Sequence, residues 1–187
     1  MTTELRWTTA DLDVLPDDGK RYEIIDGELF VTTQPHWRHQ FICTRLGRLL
    51  DEWSERTDAG LTLAAPGVIF AEDDAVAPDL VWVRRDRLAA VLDEDGKLYA
   101  APDLIVEVLS PGTTNERRDR EAKLKLYSSR GVQEYWIVSW QQRQVEVYRR
   151  QQAVLRLIAT LYEQDELASP LLSGFSCRVE QLFATIS

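Results

Sequence analysis

Apolar and polar positions alternate with two different periods along this chain, and the change of period assigns its elements. Tyr22-Glu23-Ile24-Ile25 and Leu29-Phe30-Val31 flank Asp26-Gly27, so Arg21 to Ile25 is predicted to fold back on Glu28 to Thr32 as a hairpin. Beyond Pro35 the period lengthens. Phe41, Ile42, Leu46, Leu49, Leu50 and Trp53 recur at helical spacing, which predicts an amphipathic helix over 39–53. Leu61 to Phe70 and Val76 to Val83 return to strand character on either side of Glu72-Asp73-Asp74, and a short helix is expected to end at Leu92. At the N-terminal end, Thr8, Thr9 and Asp11 ahead of Leu12 read as a short capped helix closed by the turn Pro16 to Gly19.

The most legible stretch runs from Ala101 to Trp140. Leu104 to Leu109 is apolar apart from Glu107, a charged helix opens with Thr113-x-x-Glu116 and stops at Gly131, and Glu134 to Val138 is apolar again. This is a strand-helix-strand unit. Gln144 to Arg149 alternates Val145 and Val147 with polar residues and is expected to pair with the strand that holds Trp136. Gln152 to Tyr162 reads as a further strand, although its Leu and Ala content also suits a helix. The end of the chain, Ser169 through Phe183, is expected to form a turn and a short helix covering a sheet edge.

Length and charge narrow the possibilities. A chain of 187 residues can bury a core without a disulfide or metal staple, and one domain over 1–187 is expected. A net charge of -9 excludes a large non-specific basic surface, so a nucleic-acid partner would have to be met by a local basic patch. Cys43 and Cys177 show no ligand or redox spacing and are read as small buried apolar residues in a reducing compartment. No apolar run of about 18 residues and no leader pattern occurs, which makes a cytoplasmic protein with no membrane partner the expectation.

Two apolar strands each carry one acid: Asp79 in Ala-Val-Ala-Pro-Asp-Leu-Val-Trp-Val and Glu107 in Pro-Asp-Leu-Ile-Val-Glu-Val-Leu-Ser. A carboxylate in such a strand demands a partner, a proton or a metal. If the strands are neighbours the acids converge, and at about 4 Å with an effective dielectric near 20 they repel by roughly 4 kcal/mol. A divalent ion resolves this. Two carboxylates with the carbonyl of Val108 and water suit Mg²⁺ or Mn²⁺, the kit for metal-assisted phosphodiester hydrolysis. Lys123 is the candidate cation, because Asp119, Lys123 and Tyr127 share one face of the following helix. Arg117, Arg118 and Arg120 make that segment the most basic in the chain and are candidates for phosphate contact. Plainer readings stand beside these. Pro-Asp can simply make a turn, Glu107 can be a structural acid paired to an arginine, Asp119 and Lys123 can be a surface pair, and His39 can be a helix cap. Trp82, Trp136 and Tyr148 are read as core or sheet-face aromatics.

The stretches Tyr-Glu-Ile-Ile-Asp-Gly-Glu-Leu, Ala-Pro-Asp-Leu-Val-Trp-Val, Pro-Asp-Leu-Ile-Val-Glu-Val-Leu-Ser-Pro, the Asp119 to Tyr127 helix, Gly-Val-Gln-Glu-Tyr-Trp-Ile-Val and Ser-Pro-Leu-Leu-Ser-Gly-Phe resemble, in this order, the Uma-type endonuclease-like family of the PD-(D/E)XK superfamily. The resemblance implies an α/β fold, a central mixed sheet flanked by helices with an N-terminal β-hairpin, and a metal-dependent endonuclease acting on DNA. It implies the superfamily's two acids at Asp79 and Glu107, and raises Glu23 as a further acid and His39 as a neighbour of the site. One departure is plain: the lysine two residues after the second acid is absent, since Leu109 stands there, and its place is taken by Lys123. A homodimer is expected by analogy with similar nucleases. The alternatives are a catalytically inactive module of the same fold that binds nucleic acid or a protein, and a metal-dependent phosphohydrolase of small substrates.

Overall fold

Residues 5–184 are described by a computed structural model. A short helix, α1 (Thr9–Leu12), is fixed at its start by the Thr8 N–H donating to Asp11 Oδ2 at 2.7 Å. Then β1 (Arg21–Ile25) and β2 (Glu28–Thr32) pair with Arg21 opposite Thr32, as the pattern predicts. Asp26 and Gly27 both take positive φ, 52° and 73°, which is what the two central residues of a tight hairpin turn require. Helix α2 (Trp37–Thr57) extends beyond 39–53 at both ends and buries Ile42, Leu46, Leu50 and Trp53 along one stripe.

The next stretch departs from the expectation of two long strands. It forms β3 (Gly60–Ala64), β4 (Val68–Ala71), β5 (Asp74–Val76) and β6 (Leu80–Arg84). Ala65 takes φ 48° and is followed by Pro66 and Gly67, so the first run breaks there. Pro78 has no N–H to give a ladder, and the second run breaks around it. Each break lets the chain change sheets. A turn at Arg85–Arg87 leads into α3 (Leu88–Val91), and then comes β7 (Leu104–Val108), buried at every position. The helix that follows is three segments end to end: α4 (Thr113–Arg117), a π-helical stretch Arg118–Lys123, and α5 (Leu124–Arg130). After it come β8 (Glu134–Ser139), β9 (Gln144–Gln151) and β10 (Val154–Tyr162), which settles the last as a strand. The chain closes with a hairpin of β11 (Glu166–Ala168) and β12 (Ser176–Arg178), then α6 (Glu180–Phe183).

The main sheet has the order β10-β9-β8-β7-β6-β3, and the smaller one β2-β1-β5-β4. Within the main sheet β7 and β8 run parallel, joined across the helix, and the other neighbours are antiparallel. Alternation sorts β7 onto two faces. Leu104, Val106 and Val108 join the cluster under α2 with Trp82, Trp136 and Phe175. Ile105 and Leu109 join the opposite cluster with Leu126, Tyr127 and Tyr135, and Glu107 falls on that second face. Helix α6 does not cover an edge of the main sheet, whose edge strands are β3 and β10; its Leu182 and Phe183 pack into the α2-side cluster. Cys177 is buried, Cys43 is only half-buried, and both are free thiols. Among the described residues no helix is long and apolar enough to cross a membrane.

A second acid buried in the main sheet shows that an acid in a strand is not by itself a site. Glu134 accepts from Trp136 Nε1 at 2.7 Å, Arg149 Nε at 3.1 Å and Ser169 Oγ at 2.6 Å, and so ties β8 to β9 and to the chain before β12. At the other end of the sheet, a Cβ on Gly60 would press on the Val83 carbonyl oxygen and lie 2.6 Å from the Trp82 ring. Gly60→Ala is therefore expected to destabilise the chain by about 1–3 kcal/mol, read as a lower urea midpoint at unchanged slope.

Candidate active site

Asp79 sits where the chain leaves β5 of the small sheet for β6 of the main one, so its side chain is free of both ladders. Its Oδ1 accepts from Arg21 Nη1 at 3.1 Å, and its Oδ2 from the Val108 N–H at 2.8 Å and from His39 Nε2 at 3.0 Å. Pairing of β6 with β7 stops at Leu80 opposite Val106, so Val108 lies beyond the last paired residue and turns its backbone groups toward Asp79. Glu107, one residue earlier, faces the other side and meets the helix. Its Oε1 accepts from Lys123 Nζ and from Tyr127 Oη, each at 2.9 Å.

Lys123 is the centre of the arrangement. Its ammonium is fully buried and lies 2.9 Å from Glu107 Oε1, 2.9 Å from Glu23 Oε1 and 3.8 Å from Asp119 Oδ1. Glu23 comes from β1 and is oriented by the Ala77 N–H, 2.9 Å from its Oε1. Arg118 closes the group, its Nε 2.9 Å from Asp119 Oδ1 and its Nη1 3.8 Å from Glu23 Oε2. The π-helical turn puts Arg118, Asp119 and Lys123 all on the buried side. Such turns are rare and concentrate at functional sites.

Charge balance decides the protonation of this group. Four acids, Glu23, Asp79, Glu107 and Asp119, face three permanent cations, Arg21, Arg118 and Lys123. Burial raises the pKa of Asp79, but the His39 hydrogen bond, Arg21 and the Val108 N–H outweigh it and hold the carboxyl well below the usual range. Glu23 is likewise held down by Lys123 and Arg118 against its burial. Asp119 and Glu107 are both raised, chiefly by burial, against the pull of Lys123. Burial, reinforced by the charges of Asp79 and Asp119, pushes Glu107 up to about 8 even with Lys123 beside it. Raised carboxyls are the behaviour of an acid cluster one cation short.

A cavity of about 170 Å³ opens onto part of this group, lined among others by Arg21, Pro35, His39, Asp79, Glu107, Ser110 and Arg118, while Glu23, Asp119 and Lys123 are not in its lining. Asp79, Glu107 and Val108 all line this cavity, and carboxylate and carbonyl oxygens are the donors that suit a hard divalent ion. Asp79 already takes three hydrogen bonds, and a carboxylate offers about four acceptor sites, so it has room for one more interaction. His39, Cys43 and Asp79 also bring ligand atoms within 4.8 Å of one another. Burial and the neighbouring Asp79 and Glu107 push the Cys43 thiol up, which keeps it protonated and leaves the carboxylates as the anionic ligands.

Of the residues singled out from the sequence, Glu23, His39, Asp79, Glu107, Val108, Arg118 and Lys123 come together. Arg117 and Arg120 do not. Arg117 is exposed, pairs with Glu121 at 2.9 Å and lines an outer groove, and Arg120 pairs with Glu146 on β9. His39 is not the helix cap. That place belongs to His36, which accepts from the Arg38 N–H. Asp119 and Lys123 are no surface pair, being 1 % and 0 % exposed. Arg21, the partner of Asp79, was not identified from the sequence, because an arginine at a strand start carries no pattern.

A family model described as Uma2, "Putative restriction endonuclease", matches residues 9–180. Among solved structures, a putative nuclease of DUF820 from Anabaena variabilis ATCC 29413 superposes with a TM-score of 0.75 at 20 % identity, covering 94 % of this chain and 97 % of that one. That likeness establishes the fold, and family and fold together support a nuclease. No curated protein matches.

Glu107 also sets a pH dependence. A carboxyl whose pKa rises from 4.5 to about 8 on folding binds more protons folded than unfolded between those values, so it stabilises the chain at pH 5 and ceases to as pH passes 8. Without divalent ion, unfolding free energy is expected to fall from pH 6 to pH 9, and Glu107→Gln, which still accepts from Lys123 and Tyr127, is expected to flatten that slope in urea titrations.

Proposed function

The chain belongs to the Uma2 family, and on that premise we propose that it is a metal-dependent endonuclease hydrolysing phosphodiester bonds of DNA, with Asp79, Glu107 and the Val108 carbonyl as the ligands of Mg²⁺ or Mn²⁺. The observation that carries this reading is the position of Lys123, whose buried ammonium stands 2.9 Å from Glu107 although position 109 holds leucine. The cation missing from the strand is supplied from the helix. Asp79, Glu107 and the Val108 carbonyl would hold the ion, which would supply Lewis acidity toward the attacking water and the phosphate.

The chain's own groups supply the rest. Lys123 places a positive charge beside Glu107 in a water-poor interior, where it stabilises developing negative charge far more than it would in solvent. Glu23 and Asp119 hold that ammonium in place by ion pairing. Arg21 and His39 orient Asp79 and keep it ionised. Arg118 lines the cavity and is the one arginine of the helix placed to meet a phosphate there.

Wild type is expected to cut DNA with Mg²⁺ or Mn²⁺, and Asp79→Asn and Glu107→Gln to lose cutting. Lys123→Met is expected to lower kcat by about 10²–10³-fold, assayed where its folding is verified by circular dichroism. Equal products from wild type and the two acid variants would show the reading wrong and leave a binding module on a nuclease fold. Calorimetric titration with Mn²⁺ is expected to show binding that Glu107→Gln weakens at least about tenfold.

A further inference from the structure

The cavity is too small for the whole of its substrate. At about 170 Å³ it lies below the roughly 300 Å³ at which pockets for drug-sized ligands begin. It takes only a small part of a polynucleotide. Asp79 and Glu107, which line it, are at most 5 % exposed, so the phosphodiester link must enter the cavity while the rest of the strand stays outside.

Outside the cavity there is a place for the bases. Pro35 lines it and is followed directly by His36 and Trp37. Ser110 lines it too, next to Leu109, whose N–H bonds to Val138 two residues before Trp140. His36 stacks on Trp140 with ring centroids 5.4 Å apart, and Arg38 lies over both Trp37 and Trp140, at 4.8 Å and 5.4 Å. One turn along α2, Arg45 lies over Phe41 at 5.0 Å. Trp37 is 57 % exposed, and in its helix His39, on the opposite side, reaches Asp79. Among the described residues neither Arg38 nor Arg45 is ion-paired, in a chain whose acids outnumber its bases by nine.

Aromatic rings interleaved with unpaired guanidinium groups suit unpaired bases and their phosphates, since bases stack on rings and cations track the backbone. A duplex offers no free base faces, and its dense charge meets repulsion from the rest of this acidic surface. Phe41 and Trp140 pack against the core and back this face, leaving Trp37 as its exposed ring. We propose that Trp37, with Arg38, Arg45 and His36 around it, seats unpaired bases beside the link held in the cavity, so that the substrate is single-stranded or locally unpaired nucleic acid. This rests on the nuclease reading and adds its substrate class.

The test is fluorescence anisotropy of a short labelled oligothymidylate, the same sequence as a duplex, and an oligouridylate, with full-length protein in EDTA so that no strand is cut. The single strand is expected to bind at least about tenfold more tightly than the duplex, Trp37→Leu to weaken it about tenfold, and Trp37→Phe to retain most of the affinity. The uridylate arm tells whether DNA or RNA is taken. Duplex binding as tight as single-strand binding, or Trp37→Leu binding like wild type, overturns the proposal. So does a dimer that Trp37→Leu dissociates, in light scattering, with strand affinity unchanged. Single strands held on Trp37 but never cut with Mg²⁺ or Mn²⁺ would leave this proposal standing and remove the nuclease reading. Duplex cut equally by wild type and Trp37→Leu would do the reverse.

Discussion

A buried ammonium is among the most demanding groups a protein interior can hold, and the candidate site is built around one. Lys123 is shut off from bulk solvent, so its charge must be met by carboxylates, and these arrive from three separate places: Glu23 from β1, Glu107 from β7, and Asp119 from its own helix. Removing one partner of such a group typically costs about 3–5 kcal/mol because the others are left uncompensated. The same contacts therefore fix how the hairpin, the main sheet and the helix sit against each other. In this chain the chemistry and the packing of the core share one set of side chains.

Much of this was legible because it violated a local rule. An ionised side chain inside Leu104 to Leu109 contradicts the pattern around it, and that contradiction identified Glu107 without any knowledge of the fold. The helical spacing of Asp119, Lys123 and Tyr127 likewise placed three groups on one face before the face had a partner. What the pattern could not convey was distance. Nothing local says that Arg21 and His39 converge on Asp79, since those contacts span 58 and 40 positions of chain, or that Arg118 turns inward while Arg117 and Arg120 pair with nearby acids. The hairpin of β11 and β12 escaped for another reason: three residues each way are too few to establish a period. The break at Pro78 was visible as a residue, but its meaning, a change of sheet, depends on the neighbours that each half finds.

Glu134 sharpens the point. It too is an acid in an apolar strand, and it too is buried. Its hydrogen bonds come from an indole, a guanidinium and a hydroxyl, with no other acid among these partners. Glu107 differs by its company. Three further carboxylates within the same group leave one charge more than the cations can match, and an unmatched charge in a dry interior is what a metal ion or a proton is recruited to correct.

The crossover at Ala77 to Asp79 joins the two sheets, and the acid at its end is held by β1 of the small sheet, by α2, and by β7 of the main sheet. A shift of one sheet against the other by even an ångström would stretch at least one of those bonds, and with it the stabilisation that keeps Asp79 ionised. The alignment of the two layers is thereby written into the proton affinity of a single carboxyl group, so that a change in how the layers sit would be felt first as a change in charge.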